Sequence, residues 1–323
     1  MYDIITIGSA TRDVFLISDK FMAIPSKKFP SGMGECVALG SKIEIHDMVL
    51  TTGGGATNAG ATFGSLKFRT ATITRIGDDS IGKDVIEDLS RFGVSTHLVR
   101  MVKGGETAYS TLLTMKDGER TALVYRGTSS TFTRRDIPTE ALKSTKWIYL
   151  TSLGGDLTLA KSIITTAHKA GVHVMWNPGS TELSEGIQAF SKILPMIDVL
   201  NINLEEAQLL TTKKKLSDIY SVLHSDHMIC VITDGTRGAT AYRDGWMAHA
   251  DTTGVKSISR TGAGDAFGSG FLAGLIKTED ITEALRIGTL NAESVILKHG
   301  AKNGLLTKWP SAFKKRQIKV SIL

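Results

Sequence analysis

Residues 259–271 read Ser-Arg-Thr-Gly-Ala-Gly-Asp-Ala-Phe-Gly-Ser-Gly-Phe, a single carboxylate, Asp265, set among four glycines. Behind it Phe267, Phe271, Leu275 and Ile276 form an apolar stripe at helical spacing. If Gly262, Ala263 and Gly264 make the first helical turn, their N–H groups point outward and the helix dipole adds partial positive charge. Such a turn binds an anion. Asp265 in the same field would stay ionised, and an ionised carboxylate repels a bound phosphoryl group. Its tolerated use there is as a base that takes the proton of an attacking hydroxyl. The chemistry is phosphoryl transfer to an alcohol. A plainer account makes Asp265 a first-turn acid worth about 0.3–1 kcal/mol to its helix. That explains the acid but not the glycines.

A second glycine-rich stretch, Thr-Gly-Gly-Gly-Ala-Thr-Asn-Ala-Gly at 52–60, ends a predicted strand and places Asn58 at the start of a helix. Gly54 and Gly55 would expose bare backbone to a ligand, with the Asn58 amide to hydrogen-bond it; the competing account is a tight turn capped by Asn58. Asp13 follows the first predicted strand, where parallel sheets place ligands. Other patterns carry less. Gly77 to Asp84 has the spacing of a phosphate loop, but Asp84 stands where a hydroxyl should hold magnesium, and Asp78 and Asp79 oppose phosphate. That run reads as a turn opening a helix. Gly268, Gly270 and Ala273 imitate a dinucleotide motif from inside a predicted helix, which suggests close helix packing. His224, His227 and Cys230 have ligand-like spacing without a second ligand pair. No G-x-S-x-G elbow is present for serine hydrolysis.

The elements that must position these residues alternate. Strand-like runs at 3–8, 70–77, 146–152, 172–177, 198–203 and 228–235 are separated by helical patterns such as 81–93 and 159–171. This predicts a parallel sheet covered on both faces, a single α/β domain over 1–323. Two interruptions, at about 14–52 and 106–127, hold strands without helices. The first contains runs at 35–40 and 42–50, and the second a hairpin through Lys116, Asp117, Gly118 and Glu119. Together they predict a small antiparallel sheet projecting from the body. After Gly262 come two helices, one ending near Lys277, the other running from Ile281 to His299 and closed by Gly300.

Composition bounds the setting. With 41% hydrophobic and 22% charged residues the chain can bury a sizeable core. No apolar stretch reaches the roughly 18 residues of a membrane span, and the first residues read as a strand rather than a basic leader. Only Cys36 and Cys230 are present, which fits a reducing compartment, so a cytoplasmic protein is expected. The net charge of +6 suits anionic ligands, but the dense basic runs at 213–215 and 314–319 lack interleaved aromatics, so no nucleic-acid partner is expected.

Taken together, the early Gly-Gly-Gly-Ala-Thr-Asn-Ala-Gly and late Thr-Gly-Ala-Gly-Asp-Ala-Phe resemble the two signature regions of the PfkB, or ribokinase-like, family of carbohydrate and nucleoside kinases. The resemblance runs in order through 3–13, 75–82, 201–210, 231–239 and 291–301. It implies a three-layer αβα sandwich with a β lid over the sugar. It implies Asp265 as catalytic base and the backbone of Gly262, Ala263 and Gly264 as the anion hole. Asp13, Gly54, Gly55 and Asn58 would contact substrate hydroxyls. Asn203 and Glu206 would position magnesium and its waters. Thr233, Gly235 and Gly238 would lie near the nucleotide phosphates and ribose, and Asn291 in the helix flanking adenine. One departure stands out: Ser259 and Arg260 occupy positions where many members have Asp and Thr. That Asp belongs to a monovalent-cation site, so potassium activation is not expected, and Arg260 would instead reach the triphosphate.

The resulting expectation is a magnesium- and ATP-dependent kinase acting on a hydroxymethyl group of a sugar. A nucleoside kinase of adenosine, cytidine or guanosine type is the nearest alternative, with Phe21, Met22, Met33 and Val37 available to face a base, and a non-catalytic sensor is the second. Open lid edges could pair two copies in a homodimer.

Overall fold

The computed structural model describes residues 1–323 except Pro30, Asp117 and Gly118. Its main sheet has nine strands, in the order Val320–Ile322, Trp246–Ala250, Ala239–Arg243, Ile229–Thr233, Val199–Asn203, His173–Trp176, Thr145–Leu150, Tyr2–Ile7 and Thr70–Ile73. The last six pair in parallel; the first three are antiparallel additions at one edge.

The period-2 pattern of the parallel strands sorts them between two cores. Ile5, Ile7, Ile148, Leu150, Val174 and Trp176 pack on one face with the helices Leu157–Lys169, Leu204–Thr211 and Leu216–Leu223. Ile4, Tyr149, Met175, Val199 and Val231 pack on the other with Gly55–Ser65, Ala263–Thr278 and Ile281–Val295. Helices on both faces of a mostly parallel sheet make the expected αβα sandwich.

A second sheet stands off this body, with strands in the order Arg120–Tyr125, Ala108–Thr114, Thr11–Ile17 and Asp47–Gly53. Its outer pairs are antiparallel, but Thr11–Ile17 and Ala108–Thr114 run parallel, because each leaves the main body in the same direction. The register sets Asp13 opposite both Thr51 and Ser110, so these three share one face.

Several local expectations need correction. The run 70–77 is two strands: Arg75–Gly77 leaves the main sheet and pairs with Arg100–Val102. Only Met33–Cys36 of the 35–40 region is a strand, paired with Met22–Pro25, and residues 42–46 are irregular. The expected turn at Lys116 to Glu119 falls partly outside the described residues. The last long helix ends at Val295, four residues before His299, and Gly300 lies beyond it with φ +96°.

Candidate active site

The two helices bearing the signature stretches begin without the side-chain cap that three of the other long helices carry. Ser80–Arg91, Leu157–Lys169 and Ile281–Val295 are capped by the side chains of Asp79, Asp156 and Asp280. Gly55–Ser65 and Ala263–Thr278 start at Gly54 and Gly262, both at positive φ, with no side-chain cap. The first N–H of each has a partner, Gly55 giving to Ser9 Oγ at 3.2 Å and Ala263 to the Arg260 carbonyl at 3.3 Å, and the N–H groups that follow, that of Gly264 among them, are left for something else.

The two helices lie against each other through paired polar rungs. Asn58 Nδ2 donates to Asp265 Oδ2 at 2.8 Å, and one turn on Ser269 Oγ donates to Thr62 Oγ1 at 2.9 Å. Asn58 is therefore not a cap but the fourth residue of its helix, buried and aimed at the carboxylate. Its Oδ1 is buried without a partner, as is the Oγ1 of Thr51.

Asp265 is half-buried, and burial pushes its proton affinity above the ordinary carboxylate range, while the Asn58 bond and the Lys302 charge pull it back. Removal from water therefore works against the helix field at this carboxylate. Asp13, only 6% exposed, is pushed up to about 6 by burial, against the Ser110 hydroxyl and the Lys302 charge, with Asp265 adding repulsion. Lys302, which sequence reasoning missed, is 5% exposed. Its Nζ donates to Thr52 Oγ1 at 2.5 Å and Asp88 Oδ2 at 3.0 Å, and Thr52 in turn donates to Asp88. A lysine in a Gly-rich turn normally reads as solvated, and nothing local signals its burial.

The other side of the same helix entrance opens on a cleft of about 280 Å³. Thr233, Gly235, Gly238, Arg260, Ala263 and Gly264 all line it. An added Cβ at Gly264 would meet no protein atom within 4 Å. Ala292 and Glu293 also line the cleft, and Glu293 accepts from Thr253 N–H at 2.6 Å and Thr253 Oγ1 at 2.8 Å, fixing the loop that forms its wall. Asn291 does not reach this cleft. It is fully buried, donating to the Ala266 carbonyl at 2.8 Å and accepting from Leu306 N–H at 3.0 Å, so its expected place beside a nucleotide is corrected to a brace between helices.

Other glycines answer to the protein itself. A Cβ on Gly54 would come 2.5 Å from the Ser9 carbonyl oxygen and one on Gly55 2.8 Å from Thr151 Oγ1, so chain-on-chain approach accounts for them. Of the glycines read as allowing close helix packing, Gly270 admits Gly288 of the neighbouring helix, whereas a Cβ on Gly268 would meet Tyr149 and Asn201 of the sheet; Gly274, outside that reading, admits Ala284. Asp79, in the false phosphate loop, caps its helix through Gly82 N–H and also accepts from Thr107. A carboxylate already fills that helix end.

Asn203 and Glu206 form a reciprocal capping box, 2.9 and 2.8 Å, at the helix Leu204–Thr211. Burial raises the Glu206 proton affinity, and Asp265 contributes to it. Among the described residues no group of three or more His, Cys, Asp or Glu could hold a metal; His224 pairs with Asp226 while Cys230 is buried. At the departure from the family pattern, Ser259 is buried and its hydroxyl accepts from Thr261 N–H at 3.3 Å. A hydroxyl, not a charge, occupies the place.

A sheet covered on both faces, with a carboxylate and open amides on one helix entrance at its edge, defines a phosphotransferase of the sugar-kinase class. The chain belongs to the pfkB family of carbohydrate kinases, whose pattern matches residues 1–308. It is similar to the ATP-dependent ribose-1-phosphate kinase of Halopiger xanaduensis, 29% identical over 97% of this chain and 98% of that one. It is 27% identical to a ribokinase of Haemophilus influenzae, over 83% and 89% of the two chains. Its fold matches the crystal structure of adenosine kinase from Sinorhizobium meliloti with a TM-score of 0.78 at 23% identity, covering 95% and 97%. The protein is a phosphotransferase with an alcohol group as acceptor. No helix among the described residues is long and apolar enough to cross a membrane.

Proposed function

We propose that this kinase transfers the γ-phosphoryl of ATP to a hydroxymethyl group of a pentose or related sugar, with Asp265 as the base. One observation carries the reading: a single uncapped helix entrance presents a carboxylate to one side and backbone amides to the other. In an in-line displacement the acceptor oxygen and the leaving oxygen lie on opposite sides of the moving phosphoryl. The acceptor hydroxyl, held by Asp13 and the free Oδ1 of Asn58, gives its proton to Asp265. As charge spreads over the phosphoryl oxygens, the N–H groups around Gly264 receive it. A carboxylate whose proton affinity burial has raised is the better base for this step.

The donor-side cleft suits a nucleotide by its glycine-lined floor and by Arg260 at its rim. For magnesium, Glu206 and Asn203, together at one helix start, are the residues that would hold the ion, through water. That ion would neutralise charge between the outer phosphates. The small sheet serves as a lid that keeps water from the acceptor pocket.

ADP release is to be measured on a panel of ribose, fructose, ribose 1-phosphate, adenosine, cytidine and inosine. Turnover on a sugar at least tenfold above any nucleoside is the expected result. Preference for a nucleoside moves the protein to the other branch, and no release on any acceptor sinks the kinase reading in favour of a sensor.

A further inference from the structure

Lys302 has no part in the chemistry just described, yet it is an almost fully buried ammonium. A charge removed from water is tolerated only when paired and hydrogen-bonded. Lys302 comes from the loop after the last long helix, Thr52 from the end of a small-sheet strand, and Asp88 from the helix Ser80–Arg91. Its Nζ bonds to both, so three segments distant in sequence meet at one charge. Next to Thr52, Thr51 stands opposite Asp13 in the register, and one residue further on Gly53 begins the turn into the Asn58 helix.

The charged groups facing this point are few. Burial lowers the proton affinity of Lys302, and Asp88, Asp13 and Asp265 each act to hold its proton on. Asp265 also acts on Glu206 and on the buried Tyr149 hydroxyl. Arg12, on the same strand as Asp13, is bound to Asp84. His299, in the same loop as Lys302, lies against Phe15, and its Nδ1 has no partner. Of the cations in this set, Lys302 is the one acting on both Asp13 and Asp265.

We propose that Lys302 is a positioning residue: its ammonium fixes the root of the small sheet through Thr52 and Asp88, and it is the built-in counter-charge for the two carboxylates that handle the acceptor hydroxyl. The inference rests on the proposed roles of Asp13 and Asp265 but is tested without turnover. Carboxyl carbons of both aspartates are titrated by ¹³C NMR in the wild type, Lys302→Gln, Lys302→Arg and Asp88→Asn. Loss of the ammonium moves both midpoints upward, on the order of one pH unit. The Arg variant leaves them near the wild type. Neutralising Asp88 leaves the Lys302 charge to the two aspartates and moves both midpoints down, the opposite sign; a melting curve establishes that this variant, which loses the ion-pair partner of the buried ammonium, is folded. If turnover is present, Lys302→Gln loses about tenfold in kcat/KM at pH 6 relative to pH 8. Midpoints unmoved in folded Lys302→Gln, or moved in the same direction by both neutralisations, overturn the proposal. An inactive wild type would instead remove the kinase reading and leave this one to the titration.

Discussion

The two sides of the helix entrance at Gly262 are built from different material. The acceptor side is made of side chains that converge from four distant segments, Asp13, Asn58, Asp265 and Lys302, and it is buried and charged. The donor side is made of loops and glycines, Gly235, Gly238 and Gly264, with charge only at Arg260 and the anchored Glu293. The acceptor side can therefore discriminate chemistry, since misplaced polar groups in a buried site cost heavily. On the proposed reading the donor side would grip a shape and a charge distribution common to all nucleoside triphosphates.

Substitutions on the two sides should separate accordingly. Asp265→Asn keeps the Asn58 helix in contact but removes the base, and kcat should fall on the order of 10³-fold while the affinity for an ATP analogue, read by calorimetry, stays within twofold. Turnover near the wild-type value would remove Asp265 from its role. On the donor side Gly264→Ala adds a methyl group to open space, so thermal stability should be unchanged. If the phosphoryl group lies on that amide, kcat/KM should still fall, by about 10²-fold. Gly262→Ala is the contrasting control. Its φ is +80° and its Cβ would sit 2.3 Å from Ala301 Cβ, so it should lose stability on the order of 2 kcal/mol whatever the ligand does.

Asp13 tests whether the acceptor side is held at a cost in stability. Its proton affinity is raised by burial, to about 6. The folded protein then favours the protonated acid, so the stability this group contributes is complete below pH ~4 and is lost as pH rises through about 6. Above that range the ionised, buried carboxylate costs about 3 kcal/mol. Asp13→Asn should accordingly melt higher than the wild type at pH 8, with the difference closing toward pH 4, even as KM for the acceptor rises tenfold or more. Parallel melting curves at all pH values would show that Asp13 ionises freely and carries no such cost.

The same contrast governs how much of the site was legible in the sequence. Asp265 and the uncapped turn were readable because their chemistry is local: residue types within one helical turn imply what the turn can bind. The alternation of strands and helices gave the parallel sheet for the same reason. Asn58 was readable as a polar side chain at the start of a helix, but its partner was not, since the Asp265 contact spans 207 positions. Asn291 was misplaced by one step: each helical residue turns about 100°, so Asn291 faces the core while Ala292 and Glu293 face the cleft. The strands Ala239–Arg243 and Trp246–Ala250 went unremarked despite a legible sign, the Asp244-Gly245 pair, which forms a hairpin turn with φ of +50° and +77°. Lys302 had no such sign, because burial of a lysine is decided by three segments no local pattern connects.

The weakest effect belongs where the donor side meets the small sheet. Arg260 Nη1 lies 3.5 Å from Glu119 Oε1, with both side chains more than half exposed. An exposed pair of this kind is worth no more than about 1 kcal/mol. Arg260→Ala should therefore leave kcat within about threefold and raise KM for ATP by a similar factor, more at low than at high ionic strength, since screening weakens an exposed charge. Because a hydroxyl at Ser259 stands where a cation-binding carboxylate would be, replacing potassium by a large inert cation at constant ionic strength should not change the rate in either protein. A strong potassium dependence would mean that the open amides at Gly264 need outside charge to hold a phosphoryl group. The donor side would then be no simple backbone cradle, and its contrast with the acceptor side, where Lys302 supplies the charge from within, would be the sharper for it.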